Sequence, residues 1–522
     1  MSLAVARIAG QVVPGVKVAR AWSAASARNG GERARTACPQ PRRDARGRAC
    51  KRVKREGLST GAGRAVGPGR SSGEVPAWRG GGGAKGLACS RVVHVACQGA
   101  GRSVVDGQRP SGKPFDISKW EVAAAWEKVR ANKGAPGADR VSLEAFEKDL
   151  KNNLYKIWNR MSSGSYLPPP VRAAEIPKAG GGVRVLGVPT IGDRVAQTVV
   201  AARIESAAEP VFCPDSYGYR PGRSALDAVR ACRERCWKQD WVIDLDVAKF
   251  FDTVPHDLVL KAAGRHTDLP WVLLYVRRWL TAPLQLADGT LAARDRGTPQ
   301  GSPVSPVLAN LFMHYAFDMW LIREFPDCPF ERYADDAVVH CSSLDRARQV
   351  LAALEQRMSE VGLALHPDKT KIVYCQDGNR RGRWDGPVSF DFLGYTFRAR
   401  AVRSRHGKVF TGFGPAISKK AADRLSKAVS RWRLRSRTHL SWPDLIRWVK
   451  PLIAGWMNYY GQFYRSQMHP LLKRVNNHLR QWLRAKYRRL RRRKALDRAW
   501  KRVTTQNPGA LPHWQWTTDA WQ

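Results

Sequence analysis

Aspartates in two short apolar segments are the residues of this sequence best suited to chemistry. Asp335 and Asp336 are adjacent in FERYADDAVVHC, where apolar runs on both sides predict a tight hairpin with the acids at its tip. In WVIDLDVAKFFD, Asp244 and Asp246 share one face of a predicted strand, because side chains alternate with a period of two. An isolated Asp-Asp pair is more often a solvated turn. Acids from a hairpin and a second strand, however, can hold two Mg²⁺ ions ~3.5–4 Å apart for in-line attack of a hydroxyl on a phosphate.

The elements that must position these acids are a mixture of helices and strands. Strands are predicted around 171–188 and at 241–247, with a hairpin at 330–341, and helices lie between and after them. The order is not a regular βαβ repeat, so we predict an α+β fold built on an antiparallel sheet with helices. After Pro415 the pattern predicts helices alone.

The charge of the chain indicates a polyanionic partner, nucleic acid first. Lys and Arg number 89 against 44 Asp and Glu, a net charge of +45, which excludes a typical metabolic enzyme. Residues 1–110 contribute +16, residues 111–414 only +8, and residues 415–522 contribute +21. No apolar run reaches the ~18–20 residues that span a bilayer, so we predict no membrane insertion. Ten cysteines are too few for a disulfide scaffold, and a reducing, cytoplasmic location is expected.

The first 110 residues are rich in glycine and arginine and show no helical or alternating apolar period. Such composition predicts a disordered basic leader. A basic RNA-binding arm is the alternative interpretation.

The acidic segments belong to a longer series of blocks that resembles group II intron reverse transcriptases/maturases of the bacterial type. These blocks, in chain order, are IPKAGGGVRVLGVPTIGDRVAQ, FCPDSYGYRPGRSA, DLDVAKFFDTVPHD, GTPQGSPVSPVLANLF, YADD, GLALHPDKTKIV, FDFLGYTF and GWMNYYGQF. The resemblance implies a right-hand polymerase fold, with fingers and palm over residues 111–414. It also implies an all-helical thumb or maturase domain over 415–487 and a basic tail over 488–522, a candidate DNA-binding segment.

The same resemblance assigns the metal site. It places Asp246, neighbouring Val247, Asp335 and Asp336 around two Mg²⁺ ions, with Mn²⁺ as a substitute ion. Asp244 is not a ligand in this alignment and is interpreted as a polar residue at the strand edge.

A nucleotide pocket is also implied. Lys178 and Arg184 flank a glycine-rich turn and correspond to contacts with the incoming triphosphate. Phe251 falls under the sugar, where a ring would exclude a 2′-hydroxyl, although a core aromatic is the alternative and both can hold. Gln300 and Gly301 lie near the incoming nucleotide, the glycine allowing close backbone approach.

Several basic residues receive roles as well. Lys369 corresponds to a lysine thought to protonate pyrophosphate, with Lys371 as the neighbouring alternative. Arg220 and Arg223 are predicted either to contact template or primer or to be exposed arginines of a turn before a helix that Ser224 caps. Basic residues near the C-terminus are predicted to bind nucleic-acid backbone: Arg488, Arg489, Arg491, Arg492 and Arg493.

Cysteine spacing argues against a zinc set in this sequence. Cys232 and Cys236 are one helical turn apart, but no second pair accompanies them, so free thiols are predicted. Since no cysteine follows Cys375, an HNH endonuclease domain is expected to be absent.

The implied function is an RNA-directed DNA polymerase that copies intron RNA into cDNA and binds that RNA as a splicing maturase. Its expected partners are group II intron RNA, an RNA template with a DNA primer or target DNA, and deoxynucleoside triphosphates. One alternative is a retron, diversity-generating or CRISPR-associated reverse transcriptase, against which the PQGSPVSP, FLGYTF and NYYGQF segments argue. The other is an RNA-binding splicing cofactor with little polymerase activity, against which the three intact acids argue. The sequence does not specify an oligomeric state.

Overall fold

Secondary structure follows the predicted order closely. The computed structural model describes residues 112–177, 182–380, 382–404 and 406–516. The predicted disordered leader, residues 1–110, therefore lies outside the described residues. The described residues belong to one compact unit.

The helices and strands are numbered here in chain order. The α-helices are α1 Lys119–Ala131, α2 Leu143–Lys148, α3 Leu150–Ser162, α4 Ile191–Ala208, α5 Ala225–Cys236, α6 Phe250–Thr253, α7 His256–Gly264, α8 Pro270–Thr281, α9 Ser305–Met313, α10 Met319–Glu324, α11 Leu344–Glu360, α12 Lys419–Arg431, α13 Trp442–Tyr460, α14 His469–Lys486 and α15 Arg493–Gln506. The strands are β1 Val171–Pro177, β2 Val183–Val188, β3 Trp241–Asp246, β4 Leu284–Gln285, β5 Leu291–Ala292, β6 Phe330–Tyr333, β7 Asp336–Cys341, β8 Lys371–Tyr374, β9 Phe390–Phe392, β10 Tyr395–Arg403 and β11 Val409–Ile417.

Local sequence sets where many helices begin. Ser118 caps α1 and exchanges hydrogen bonds with Glu121 in a capping box, and Ser224 does the same with Asp227 at α5. Ser418 caps α12 through the backbone N–H of Ala421. Each cap satisfies amide groups that the first helical turn leaves without partners.

The palm is a four-stranded antiparallel sheet in the order β6-β7-β3-β8. Alternate residues of β3 enter two different hydrophobic cores: Ile243 and Leu245 pack in one, and Val242 packs in the other. The first core contains helices α1–α4 and α6–α11. The second contains α5, the strands β9–β11 and the C-terminal helices. Both faces of the sheet are therefore buried over most of its length.

Two further sheets flank the palm. One has the order β2-β1-β4-β5, with β1 and β4 parallel and the other pairs antiparallel. The other is the antiparallel sheet β11-β10-β9. The α+β prediction is confirmed by this mixture of mainly antiparallel sheets and helices, with a helical C-terminal region.

The C-terminal region departs from the predicted boundaries. Strand β11 extends to Ile417, so the boundary at residue 414 falls within a strand. Leu496, Trp500 and Trp514 are buried in the same core as α13 and α14. Residues 488–516 are thus packed on the helical domain and do not form a separate tail, because α15 places Leu496 and Trp500 on one apolar face. Among the described residues, we find no helix long and apolar enough to cross a membrane.

Candidate active site

The two-residue loop between β6 and β7 carries the acidic hairpin tip. Tyr333 pairs with Asp336, which leaves Ala334 and Asp335 as the loop. Ala334 has a φ of 60°, a left-handed conformation that costs ~1–2 kcal/mol for a residue with a Cβ. A Cβ atom on Gly218 would lie 2.4 Å from the Ala334 nitrogen, so only glycine fits where this segment crosses the loop.

Arg332 lies under the hairpin and is fully buried. Its Nε and Nη2 donate to the two oxygens of Asp318, each at 2.6 Å. Its Nη1 donates to the Ala334 carbonyl at 3.0 Å and to Asn310 Oδ1 at 3.2 Å, and Nη2 also donates to Ser216 Oγ at 2.9 Å. Every guanidinium N–H therefore has an acceptor, and one of those bonds holds the loop itself. Arg332 was not among the predicted site residues, although its position just before the YADD segment was a usable signal.

Strand pairing brings the third acid to the hairpin. Asp246, the last residue of β3, is the cross-strand partner of Asp336. The backbone of Asp246 is held by the 366–370 turn: its carbonyl accepts from the His366 N–H at 2.8 Å, and its N–H donates to Thr370 Oγ1 at 3.3 Å. Val247 forms an antiparallel bridge with Leu365 and has a buried side chain, so only its backbone carbonyl could serve as a metal ligand.

The two candidate lysines have different partners. Lys369 Nζ lies 3.1 Å from Asp246 Oδ1, and Lys371 Nζ lies 3.8 Å from Asp244 Oδ2. Burial raises the pKa of Asp244 to about 7, which Lys371 partly counteracts. Asp244 is therefore next to the acidic group but has its own cation, and Lys369 is the lysine that contacts a predicted metal ligand.

The acids lie in a setting that a divalent cation would stabilise. Burial, and after it the negative charge of neighbouring Asp335, raise the pKa of Asp336 to about 7. Burial also raises the pKa of Asp335, while the positive charge of Arg184 lowers it. Asp335 Oδ1 is buried and has no hydrogen-bond partner in the described part of the chain. Carboxylate oxygens crowded in this way are the ligands that Mg²⁺ and similar ions prefer, so the residues fit a metal site.

A cavity of about 480 Å³ opens in front of Asp246 and Asp336. Residues 389–394 and Lys420, in the first turn of α12, also line this cavity. Asp246 and Asp336 thus border a cavity that reaches the first helix of the C-terminal region.

The predicted nucleotide contacts lie at the edge of this region. Gly301 has a φ of 118°, and a Cβ there would lie 2.6 Å from the Gly187 carbonyl. The Gly187 N–H donates to the Gln300 carbonyl at 2.9 Å, which ties β2 to this loop. The side-chain Oε1 of Gln300 is buried without a hydrogen-bond partner in the described part of the chain. Only glycine fits at position 301, because the Gly187 carbonyl lies so close to it. The Gln300 Oε1 atom can still accept a hydrogen bond from a ligand.

The remaining nucleotide contacts differ in their setting. Arg184, on β2, is half-buried and close enough to Asp335 to lower its pKa. Phe251 is only 9% exposed and packs 5.2 Å from the Phe250 ring. Phe251 is therefore part of the hydrophobic core, and its contact with the sugar of the nucleotide stays a prediction. Lys178 lies outside the described residues.

Arg220 is not available to bind template or primer, and that prediction is wrong. It is 8% exposed and forms a bidentate ion pair with Glu209, with Nη2 2.8 Å from Oε1. Its Nη1 donates to the carbonyls of Cys213 and Ser216 at 2.6 and 2.7 Å. The guanidinium organises the turn before α5 instead, because a buried charge must be fully paired.

Exposed arginines are found elsewhere on the surface. Arg223 is exposed, with its guanidinium 5.9 Å from the Tyr217 ring. Arg489 lies 5.9 Å from the Tyr487 ring, and Arg493 Nε lies 4.0 Å from Asp497 Oδ2. The five predicted C-terminal arginines are all exposed: Arg488, Arg489, Arg491, Arg492 and Arg493. Unlike the buried Arg220, these five side chains can contact a polyanion from solvent.

Two family models match separate parts of this chain. The family model described as "Reverse transcriptase (RNA-dependent DNA polymerase)" matches residues 176–397, and that described as "Group II intron, maturase-specific domain" matches residues 422–500. The second match crosses the predicted boundary at 487 and includes most of α15.

Relatives extend the similarity over longer segments. Protein YkfC of Escherichia coli is 31% identical over 334 residues, which cover 55% of this chain and 82% of that protein. The group II intron-encoded protein LtrA of Lactococcus lactis is 30% identical over 193 residues, covering 36% of this chain and 32% of LtrA. An uncharacterized 91 kDa protein in the cob intron of Schizosaccharomyces pombe is 25% identical over 417 residues, covering 67% of this chain and 50% of that protein. The chain thus matches most of YkfC but half or less of the other two.

Proposed function

This chain belongs to the family of group II intron reverse transcriptases/maturases, and from that premise we propose that it copies intron RNA into cDNA and binds the same RNA as a splicing maturase. The observation that carries the proposal is the pairing of Asp246 with Asp336 across β3 and β7, with Asp335 at the adjoining hairpin tip. The proposal includes the partners expected for such an activity: an RNA template, a DNA primer or target DNA, and deoxynucleoside triphosphates.

Asp246, Asp335, Asp336 and the Val247 carbonyl are the groups that would hold divalent ions, which we propose to be two Mg²⁺ with Mn²⁺ as a substitute. When bound, such ions activate the 3′-hydroxyl of the primer and neutralise the leaving pyrophosphate. The protein itself positions the acids. Arg332 donates a hydrogen bond to the Ala334 carbonyl and so holds the loop that carries Asp335. We propose that Lys369 Nζ, which lies 3.1 Å from Asp246 Oδ1, gives a proton to the pyrophosphate oxygen.

The nucleotide would lie between β2 and the loop at residues 297–302. We propose that Lys178 and Arg184 contact its triphosphate, with Gln300 and the Gly301 backbone beside it. Phe251 would lie under the sugar and disfavour a 2′-hydroxyl. The link between Gly187 and the Gln300 carbonyl supports this, since it joins two of these elements.

The maturase activity is assigned to the helical domain. Its positive charge, +21 over residues 415–522, supports binding to structured RNA through phosphates. The five exposed C-terminal arginines and Arg223 are the proposed contacts. We propose that the protein acts in the cytoplasm as a ribonucleoprotein with its intron RNA.

Primer extension on an RNA template tests the polymerase proposal. Asp335→Asn keeps the size of the side chain but removes a negative ligand, so cDNA synthesis should fall to the detection limit. Binding of intron RNA should persist, because the substitution removes no core. Asp345→Asn, an exposed acid on α11, is the matched control and should extend normally. Extension by Asp335→Asn at the wild-type rate would contradict the site.

A further inference from the structure

A buried chain of hydrogen bonds runs from helix α4 to the loop at residues 297–302. Gln197 is on α4, and Ser302 is at the end of that loop. The Ser302 hydroxyl is hydrogen-bonded to Gln197 Oε1, and Gln197 Nε2 lies 2.8 Å from Asp193 Oδ2. All three side chains belong to residues that are at most 3% exposed. Because water cannot replace these bonds, each of them constrains the position of the next side chain.

Asp193 fixes the direction of the whole chain of bonds. Its Oδ1 accepts hydrogen bonds from Tyr166 Oη at 2.9 Å and from Trp279 Nε1 at 2.7 Å. Burial raises the pKa of Asp193 to about 6, and these two donors together with Gln197 limit that rise, so the carboxylate is largely ionised at neutral pH. An ionised carboxylate only accepts hydrogen bonds, so Gln197 must present its NH₂ group to Asp193 and its carbonyl oxygen to Ser302. The Ser302 hydroxyl is therefore the donor.

The loop at residues 297–302 is held at both ends. At its start, the Thr298 N–H donates to the Phe251 carbonyl at 2.8 Å, and Phe251 lies on α6, shortly after the catalytic strand β3. At its end, Ser302 is joined to α4 through Gln197. Residues 300–301, which we propose to lie beside the incoming nucleotide, fall between these two attachments. The position of the nucleotide contacts thus depends on both the palm and α4.

We propose that Gln197 is a positioning residue for nucleotide addition: through Ser302 it holds the loop that contacts the incoming deoxynucleoside triphosphate. This role rests on the proposed function, which places the nucleotide beside that loop. Gln197 acts through its neighbours, because both polar atoms of its amide are engaged by Asp193 and Ser302. Loss of the chain of bonds should weaken nucleotide binding and leave the metal site intact, since Arg332 separately holds the loop that carries Asp335.

Ser302→Ala tests the last bond by removing a single oxygen atom. The rate of single-nucleotide incorporation on a primed RNA template would be measured against the concentration of the deoxynucleotide. The KM for the deoxynucleotide should rise about tenfold, whereas kcat and the Mg²⁺ requirement should change little. Ser305→Ala is the matched control, because Ser305 is similarly buried and its Oγ has no hydrogen-bond partner in the described part of the chain. This control should keep the wild-type KM.

Exchanging the amide and the carboxylate tests the whole chain of bonds. Gln197→Glu places two carboxylates side by side, so it should raise the KM and lower the midpoint of urea unfolding. In the double variant Asp193→Asn/Gln197→Glu, the new amide at position 193 can donate to the new carboxylate at position 197, which accepts from Ser302. One carboxylate, one amide and every hydrogen bond are thereby restored, so both the KM and the midpoint should return close to the wild-type values.

Two results would overturn the positioning role. One is a wild-type KM for Ser302→Ala. The other is a double variant that unfolds at the wild-type urea midpoint but keeps the raised KM of Gln197→Glu. A wild-type protein that incorporates no nucleotide would instead overturn the proposed function, and this role with it.

Discussion

Replacing Arg332 should lower both the stability of the palm and the rate of extension, and a second substitution at Asp318 should restore only the stability. Arg332 makes five hydrogen bonds, two to the buried carboxylate of Asp318 and one to the Ala334 carbonyl. Burial alone would raise the pKa of Asp318, but the Arg332 guanidinium more than offsets this and lowers it. In Arg332→Met, Asp318 becomes a buried charge without its main partner, and the loop loses one of its supports.

The expected magnitude follows from that unpaired charge. Breaking a buried ion pair by removing one member costs ~3–5 kcal/mol. Removing both members with Arg332→Met and Asp318→Leu leaves no unpaired charge, so most of that stability should return. The Ala334 carbonyl still lacks its donor in the double variant. Extension should therefore remain slow although folding recovers.

Urea unfolding and primer extension, measured on the same preparations, check both parts. We expect low stability and low activity for Arg332→Met, and near-normal stability with low kcat for the double variant. A higher requirement for Mg²⁺ should accompany the low kcat, since a displaced Asp335 holds the metal less well. Arg332→Met with wild-type stability would refute the ion-pair argument. A double variant with wild-type kcat would refute the positioning role of Arg332.

Three further predictions follow from other parts of the molecule. Gly218→Ala should reduce extension strongly, because its Cβ would meet the Ala334 backbone; primer extension by a soluble variant at the wild-type rate would contradict this. Burial lowers the pKa of His513 to about 3. The imidazole therefore binds a proton near pH 6.5 in the unfolded chain but stays neutral in the folded chain. Because of this difference, the free energy of unfolding falls as the pH drops below 6.5. The loss at pH 5 is ~2 kcal/mol, and the same urea titration of His513→Gln should show a pH dependence smaller by that amount. Replacing the five exposed C-terminal arginines by Gln should weaken binding of intron RNA and make its salt dependence shallower, by ~0.7–0.9 in log–log slope per lost phosphate contact, with little change in extension of a short primer at low salt.

Several features of this protein could be predicted from short stretches of sequence. The hairpin at 330–341 followed from apolar runs on either side of two acids, and its loop is where the pattern put it. Helix starts at Ser118 and Ser224 followed from capping residues within one turn. The resemblance to a known family supplied the pairing of Asp246 with the hairpin, which spacing alone could not.

Other features were decided only when distant segments packed together. Arg220 and Arg488 are both arginines in basic segments, yet one is buried against Glu209 and the other is exposed. Glu331 and His340 become neighbours of Cys232 only because β6 and β7 lie against α5, so spacing along the chain gave no sign of this group.

The sequence by itself determined the local elements, the acidic hairpin and the basic character of the C-terminal region. Tertiary structure alone decided that residues 488–516 join the helical core, that Arg332 supports the loop, and that Arg220 is buried against Glu209. The reason is physical. Turns and caps depend on groups a few residues apart, whereas burial and the pairing of charges depend on which remote surfaces exclude water together.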